Sequence, residues 1–317
     1  EDALHATKAA VEEGIVPGVV ALVLLTAGLS CEIRYQVRPE VLSWVFLALV
    51  GYVLAAHGSG RKPGLWLLPL IHLLWVNTHA LVVLGWALIG CTWLGLSIRD
   101  RKWNTHLLLA LIASVAVTVI NPYGLDAPLF PFLALSSRLE GGNVFAQTVG
   151  EFASPFKLES PWGPIWAFRA LAVVSVLALV KRLAARDFGW GLAWLAFFPL
   201  AASMVRNVPL FVIVTVPGIA WSLGEFEVVR ALWRRANLTR AGLGIVTVLT
   251  LVTTARVVTN SYYIEDRRPD RFGLGWNRLT LPVDVADYDD CARKSATIQA
   301  ECGAVDILVN NAGITRD

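Results

Sequence analysis

Charged side chains are scarce in this chain. Asp, Glu, Lys and Arg make up 16% of the 317 residues, against about a quarter in an average soluble domain. The formal net charge is only +3. Because the arginines responsible lie in loops between apolar segments, the charge balance gives no reason to expect a nucleic-acid partner. The composition therefore does not favour a soluble domain.

Signals for metal binding are also lacking. The chain has four cysteines, which are Cys31, Cys91, Cys291 and Cys302. Their spacing is not that of metal ligands. His72 and His79 could share one face of a helix, but no third ligand lies near them in the sequence. We expect neither a metal ion nor a cofactor.

Long hydrophobic runs fill most of the chain between residues 16 and 258. Hydrophobic residues make up 56% of the sequence, and the mean hydropathy is +0.59. The runs are Val16–Ser30, Glu40–Ala56, Gly64–Val76, Ala80–Ile98, Thr105–Ile120, Pro164–Val180, Gly189–Ser203, Val208–Leu223 and Ala241–Val258. Most approach the roughly 17 to 25 residues of a tilted spanning helix, although a pair of short runs could form one broken helix. The sequence predicts an all-α fold, a polytopic transmembrane helix bundle of about nine spans, give or take one or two, with a small truncated α/β tail.

Tryptophans occur near the ends of many runs. Trp66 and Trp75 are two of the 13 in the chain. Indole rings at run ends are expected at the level of the lipid headgroups, where the N–H group is hydrated. Their placement supports a membrane protein.

Basic residues concentrate in alternate gaps between the runs. The basic gaps follow the second, fourth, sixth and eighth runs and contain Arg61–Lys62, Arg99–Lys102, Lys181–Arg186 and Arg230–Arg240. By the positive-inside rule these gaps lie in the cytoplasm. We therefore expect a multi-pass protein of the cytoplasmic (inner) membrane with a cytoplasmic N-terminus and an extracytoplasmic C-terminus.

The opposite gaps carry polar clusters that would meet at the outer rim. They are Arg38-Pro39-Glu40, Trp75-Val76-Asn77-Thr78-His79, Asn121-Pro122-Tyr123-Gly124 and Arg206-Asn207-Val208-Pro209. Each has a structural alternative: a turn for Asn-Pro-Tyr-Gly, an interfacial anchor for Trp-x-Asn-x-His, and snorkelling for Arg38 and Arg206. Arg169, inside a run, should face the bundle interior or an anionic partner, or snorkel outward. Joint placement on one side favours a common site.

These motifs carry a resemblance to a family. Together with Arg206–Phe211 and a late Phe-Gly-Leu-Gly segment at Phe272–Gly275, they make residues 19–282 resemble a group of uncharacterised bacterial polytopic membrane proteins. That group is similar to the membrane glycosyltransferases of the C-type fold, which use polyprenyl-phosphate sugars at the outer face. The resemblance implies membrane lipids and a polyprenyl-phosphate sugar as partners.

Transfer from a lipid-phosphate sugar needs cations for the departing phosphate and a carboxylate for the acceptor. Arg38 and Arg206 are the candidate phosphate clamps, because a guanidinium binds phosphate oxygens bidentately. The other substrate-binding candidates are Asn77, His79, Asn121, Tyr123 and Asn207. The candidate catalytic carboxylates are Glu40 and Glu151, with Asp126 third. The acidic residue that the family carries in its first outer loop is absent, so we expect no turnover.

The N-terminal end resembles a different family. Residues Glu1–Gly18 are similar to a bacterial chaperonin segment whose aspartate assists ATP hydrolysis, and Asp2 matches that aspartate. The alternative is an amphipathic cytosolic helix ahead of the first span. The sequence has no phosphate-binding loop elsewhere, so ATP binding is not implied.

The tail, residues 283–317, resembles a short-chain dehydrogenase, nearest the acetoacetyl-CoA reductases. The pattern is a strand ending in Asp284-Val285, a helix, and a strand ending in Asn310-Asn311-Ala312-Gly313. The resemblance implies that Asp284 contacts the adenine and that the Asn-Asn-Ala-Gly turn lines the cofactor cleft. The Gly-rich dinucleotide turn, the catalytic Ser and the Tyr-x-x-x-Lys pair are absent, so we expect residues 284–317 to bind no nicotinamide cofactor.

The sequence thus predicts a chimera of four parts. They are a chaperonin-like helix (1–18), a transmembrane bundle (19–260), an extracytoplasmic continuation (261–282) and a dehydrogenase-like tail (283–317). The main functional interpretation is an inactive fragment of a glycosyltransferase-like membrane protein. The alternatives are a transporter or scaffold bundle, which the lack of internal repeats disfavours, and an NAD(P)-dependent short-chain reductase fragment represented by the tail.

Overall fold

The computed structural model describes residues 15–34, 39–58, 64–139, 152–158, 163–233 and 236–259, together with Arg293. Within these ranges the secondary structure is helical and contains no strand. The helices are α1 (Ile15–Cys31), α2 (Glu40–Gly58), α3 (Leu67–Val76), α4 (Val83–Asp100), α5 (Thr105–Ala116), α6 (Asp126–Leu139), α7 (Pro164–Ala184), α8 (Phe188–Ser203), α9 (Val208–Gly224), α10 (Glu227–Trp233) and α11 (Ala236–Val258). The all-α prediction is confirmed for the described part, whereas the α/β tail lies outside it.

The chain divides into two compact units, Glu1–Thr247 and Val248–Asp317. Helix α11 begins in the first unit and ends in the second. The four-part division expected from the sequence stays a prediction.

Every predicted apolar run contains a helix, but nine spans are not supported. Among the described residues, four helices are long and apolar enough to cross a membrane: Glu40–Gly58, Ala80–Asp100, Pro164–Ala184 and Val205–Gly224. The second and fourth include the 3-10 turns Ala80–Val82 and Val205–Asn207. Helix α3 has 10 residues, which at 1.5 Å per residue reach only about half of a hydrocarbon core of ~30 Å. The described part of the chain therefore does not support the predicted span count.

Side chains and prolines in the loops mark where several helices begin. The Asn104 side chain accepts a hydrogen bond from the backbone N–H of Leu107 at 3.1 Å, which caps α5. Asp187 accepts one from the N–H of Trp190 at 3.1 Å, which caps α8. Pro164 opens α7, where its missing N–H costs nothing. The helix starts are therefore encoded locally.

Helix α9 forms the centre of the first unit. It packs against α1, α2, α7 and α8. Of its apolar 18-residue stretch, 61% is buried, compared with 33–39% of the corresponding stretch in the other three long helices. Phe211 of α9 is fully buried and meets Phe168 and Trp194 edge-on. These aromatic contacts between neighbouring helices add to the stabilisation from burial.

Tryptophan–serine hydrogen bonds connect neighbouring helices. Trp75 Nε1 donates to Ser43 Oγ at 2.8 Å, and Trp194 Nε1 donates to Ser175 Oγ at 2.9 Å. Trp75 is 0% exposed, whereas Trp66 is 68% exposed. The expectation of a headgroup position is therefore wrong for Trp75, whose N–H group is satisfied inside the bundle.

Two glycines allow α4 and α8 to approach closely. A Cβ atom on Gly95 would lie 2.1 Å from the backbone nitrogen of Gly189 and 2.3 Å from its Cα. Backbone atoms cannot move aside as a flexible side chain can, so this crossing requires a residue without a side chain. Small residues at helix crossings are typical of membrane bundles.

The guanidinium group of Arg169 donates hydrogen bonds to backbone carbonyl groups. Its Nε donates to Pro155 O at 3.0 Å and its Nη2 donates to Leu158 O at 2.7 Å. Its guanidinium carbon lies 4.8 Å from the centroid of the Trp166 ring. Arg169 therefore holds the 152–158 segment against α7.

Candidate functional site at the common end of the long helices

The four long apolar helices begin at the same end of the first unit. Glu40 at the start of α2 contacts Arg206, which precedes α9. Ser43 of α2 contacts His79, which precedes the Ala80–Val82 turn. The 152–158 segment accepts a hydrogen bond from the Arg169 side chain, near the start of α7. Its Ala153 carbonyl also accepts one from the backbone N–H of Val205. Helix N-termini carry partial positive charge, so this end favours negative charge.

An ionic cluster of Arg34, Glu40 and Arg206 lies at this end. Arg34 Nη2 is paired with Glu40 Oε1, and the side chains are 3% and 9% exposed. Arg206 Nη2 lies 3.4 Å from Glu40 Oε2, and the Arg206 side chain is 28% exposed. One carboxylate thus faces two guanidinium groups. A carboxylate buried between two arginines has little access to an acceptor hydroxyl, so the geometry favours an ion-pairing role for Glu40 over the predicted role of catalytic base.

A directional hydrogen-bond chain connects Trp75, Ser43 and His79. Ser43 Oγ accepts from Trp75 Nε1 at 2.8 Å and lies 2.8 Å from His79 Nδ1. The backbone N–H of Leu81 also points to His79 Nδ1, at 3.5 Å. Because Nδ1 is approached by donors, the pattern assigns the proton of neutral His79 to Nε2.

The same environment keeps His79 neutral. Burial lowers the pKa of His79 below its usual value, the negative charge of Glu40 raises it, and the positive charge of Arg206 lowers it again, with a net lowering. Ser43 is 0% exposed, so the Ser43–His79 pair cannot act as a nucleophile and base on an outside substrate. Its role is to orient the imidazole.

The side-chain amides of Asn77, Asn121 and Asn207 instead donate hydrogen bonds to nearby backbone carbonyl groups. Asn77 Nδ2 donates to Leu73 O at 2.8 Å and Ile120 O at 3.0 Å. Asn207 Nδ2 donates to Leu200 O at 3.1 Å, at the end of α8. These amides leave little hydrogen-bonding capacity for a sugar.

The Asn-Pro-Tyr-Gly sequence folds as the turn that its residues suggest. Asn121 Nδ2 donates to Thr118 O and to Gly124 O, each at 2.7 Å, and Asn121 Oδ1 accepts from Tyr123 N at 2.7 Å. Gly124 has a φ of 56°, a conformation that glycine adopts without strain. Tyr123 is 74% exposed, and the turn is the alternative that the structure supports here.

The structure therefore unites only part of the predicted site. Glu40, His79 and Arg206 come together, whereas Arg38 and Glu151 lie outside the described residues. Asp126 begins α6. The sequence analysis did not select the cluster members Arg34 and Ser43. The position of Ser43 three residues after Glu40, and therefore on the same face of α2, was a signal that could have identified it.

Comparison with known proteins identifies a family in the C-terminal quarter of the chain. Residues 240–317 match the family model for short chain dehydrogenase. The chain is 37% identical over 76 residues to the acetoacetyl-CoA reductase of Rhizobium meliloti (strain 1021), covering 24% of this chain and 32% of that protein. It is 54% identical over 44 residues to the 3-oxoacyl-[acyl-carrier-protein] reductase FabG of Vibrio harveyi, covering 14% of this chain and 18% of that protein. It is 52% identical over 44 residues to Nodulation protein G of Azospirillum brasilense, again 14% and 18%.

The chain spans about a third or less of the length of these relatives. No solved structure matches it. The short-chain dehydrogenase resemblance of the tail is confirmed, and the match extends further towards the N-terminus than residue 283. The interpretation as a glycosyltransferase-like membrane protein is wrong, because the matches are to short-chain dehydrogenases. They give no support to a chaperonin segment either.

The family implies a nicotinamide cofactor, whose pyrophosphate would need a Gly-rich turn. The matched region begins at Arg240, directly before Ala241-Gly242-Leu243-Gly244. Helix α11 runs from Ala236 to Val258 through both glycines, and a Cβ on Gly244 would meet nothing within 4 Å. Helical N–H groups beyond the first turn are bonded to carbonyls and cannot cradle a phosphate. The described residues therefore do not fit the cofactor.

Proposed function

We propose that residues 240–317 give the chain a reductase function of the short-chain dehydrogenase type, with 3-oxoacyl thioesters as the substrate class. The family match over these residues carries the proposal. The names of two relatives, acetoacetyl-CoA reductase and 3-oxoacyl-[acyl-carrier-protein] reductase, describe the same reacting group, a 3-oxoacyl chain on a thioester. Among the described residues, the Glu40 carboxylate of the ionic cluster is paired with two arginines and offers no competing catalytic base.

The tail supplies two of the features that such a segment uses. Asp284 stands where the family contacts the adenine, and Asn310–Gly313 stands where the family lines the cofactor cleft. Because α11 offers no phosphate cradle, we expect only weak cofactor binding, with a Kd on the order of 1 mM. The sequence-based expectation differs, since it was that residues 284–317 bind no nicotinamide cofactor at all, and the titration distinguishes the two.

The test is a titration of the purified full-length chain with NADPH, in the presence and absence of acetoacetyl-CoA. Asp284→Ala is expected to weaken NADPH binding several-fold, and Asp289→Ala, which removes the same charge five residues away, should leave it unchanged. Oxidation of NADPH on addition of acetoacetyl-CoA would support reductase activity as well as cofactor binding. Equal binding by the parent chain and Asp284→Ala up to saturating NADPH would contradict the proposal.

We also propose that the helical part of the first unit lies in the cytoplasmic membrane. Besides the four long apolar helices, large apolar side chains remain exposed on their surfaces, such as Val173 at 66% and Val180 at 65% on α7. Lipid acyl chains would cover these apolar side chains and remove the unfavourable contact with water. The positive-inside rule then puts the end with Arg99 and Arg182 in the cytoplasm and the end with Arg206 outside.

Labelling of intact cells with a membrane-impermeant maleimide checks this orientation. We expect a cysteine introduced by Tyr123→Cys to react in intact cells and one introduced by Asp100→Cys to react only after lysis. Both parent side chains are exposed, at 74% for Tyr123 as a whole residue and 52% for the Asp100 side chain. The unmodified chain controls for its own cysteines. Labelling of position 100 but not position 123 in intact cells would reverse the orientation.

A further inference from the structure

In the ionic cluster at the common helix end, two guanidinium groups share one carboxylate. Arg34 and Arg206 both face Glu40. The contact of Arg34 with Glu40 is the closer of the two, and the contact of Arg206 is long, at 3.4 Å. The carboxylate is therefore shared unequally, and the longer contact leaves Arg206 able to take a further anionic partner.

Arg206 is the member with donor capacity to spare. A guanidinium has five N–H donors, and among the described residues Arg206 donates only to Glu40. Its side chain is 28% exposed, in contrast to Arg34 at 3%. The Arg206 guanidinium carbon lies 5.3 Å from the centroid of the Phe152 ring, which orients the planar group. Arg206 is thus held in place and still open to a ligand.

His79 offers a second donor next to it. Ser43 and Leu81 occupy Nδ1, so the remaining proton sits on Nε2, and no described residue accepts it. His79 is half-buried and bonded to Ser43, which lies one turn after Glu40, the partner of Arg206, on the same face of α2. A neutral imidazole N–H beside a guanidinium suits a ligand with several acceptor oxygens.

Phosphate is the anion that matches these donors. Two of its oxygens fit the fork of a guanidinium, and its tetrahedral shape leaves a third for an N–H from another direction. The N-termini of the surrounding helices add favourable electrostatics for a phosphate. A cation would be repelled by the same groups.

We propose that Arg206 and His79 Nε2–H bind a phosphate group, while Glu40 remains paired with Arg34. The phosphate belongs either to a lipid headgroup or to a small soluble phosphate, since both present the same oxygens. The proposed site shares no residue with the reductase segment, and neither proposal depends on the other.

The test uses the purified full-length chain in a phosphate-free, non-ionic detergent. Binding is measured as the shift in thermal unfolding on titration with dioctanoyl phosphatidic acid and, in a second arm, with inorganic phosphate. Dioctanoylglycerol, which lacks the phosphate, is the ligand control. Saturable shifts in the lipid arm alone support a headgroup site, and shifts with inorganic phosphate support a site for soluble phosphates.

The variant series separates a binding site from general loss of charge. Arg206→Gln is expected to weaken binding by about tenfold or more, and Arg206→Lys, which keeps the charge beside Glu40 but lacks the fork, by less. Arg182→Gln is the matched control, because Arg182 is 21% exposed, lies in the last turn of α7 and is paired with Asp187, which precedes α8. Its affinity should stay within about twofold.

Three outcomes would overturn the proposal: no shift in either arm, an equal shift with dioctanoylglycerol, or equal losses in Arg206→Gln and Arg182→Gln. If Arg206→Gln fails to fold, Arg206→Lys and His79→Phe, which removes the second donor, decide the question. NADPH binding by the Arg206 variants should match that of the parent chain, so failure here and failure of the reductase proposal are distinguishable.

Discussion

Replacement of Glu40 by alanine is expected to lower the free energy of unfolding by about 3–5 kcal/mol, the range for breaking a buried ion pair. Glu40 is 7% exposed and Arg34 is 3% exposed, so the variant removes a buried carboxylate that pairs with Arg34. Arg206 would add repulsion at the same point. Denaturant unfolding of the detergent-solubilised protein, followed by tryptophan fluorescence, measures the loss.

Asp100→Ala is the control for this prediction. Asp100 pairs with Arg99, and both side chains are about half exposed, at 52% and 48%. An exposed pair contributes only about 0–1 kcal/mol. The double variant Arg34→Leu/Glu40→Leu should recover most of the loss, because apolar residues of similar volume replace a buried pair at little cost. Similar unfolding curves for Glu40→Ala and Asp100→Ala would mean that the cluster does not stabilise the fold.

Replacement of Trp75 by alanine is expected to cost about 3–5 kcal/mol as well. The indole ring is fully buried, stacks on Phe46 at a centroid distance of 5.8 Å and donates its N–H to Ser43. The variant leaves a cavity between α2 and α3 and removes the donor that fixes the Ser43 hydroxyl. The same unfolding measurement, read by circular dichroism, gives the change.

Trp66 supplies the matched comparison within the same part of the chain. It is 68% exposed, and Trp66→Ala should change the free energy of unfolding by less than about 0.5 kcal/mol. If instead Trp75→Ala changes the free energy of unfolding as little as Trp66→Ala does, the buried position of Trp75 is incorrect and the headgroup placement expected from its position at a run end holds.

The polar cluster was predictable in part. Glu40, His79 and Arg206 each stand at the start of an apolar run, and the alternation of runs and basic gaps was enough to put them at one end of the bundle. Arg34 looked like one more loop arginine, because nothing in the sequence indicates that its side chain turns inward. Asn121 and Asn207 were chosen for their chemistry, but local backbone carbonyls take up their hydrogen bonds.

The glycosyltransferase and short-chain dehydrogenase resemblances fared differently for a physical reason. The glycosyltransferase resemblance rested on short motifs, several of which serve local structure: the Asn121 amide closes a turn, and Pro209 lies in the first turn of α9. Turn and helix-start signals of this kind recur in unrelated proteins. The tail match extends over a contiguous stretch from residue 240 to 317, which short structural signals do not produce.

The sequence by itself determined that each apolar run contains a helix, because apolar content, capping residues and prolines act within a few residues of one another. It did not indicate α6 and α10, which lie outside those runs. It also determined which helix ends carry polar side chains. The tertiary structure decided how many helices are long enough to span a membrane, that Trp75 lies in the core, and that one carboxylate serves two arginines. The Glu40–Arg206 contact joins residues 166 positions apart, and only the packing of α2 against α9 brings such distant groups together. Burial and pairing depend on that packing, so no local pattern could have specified them.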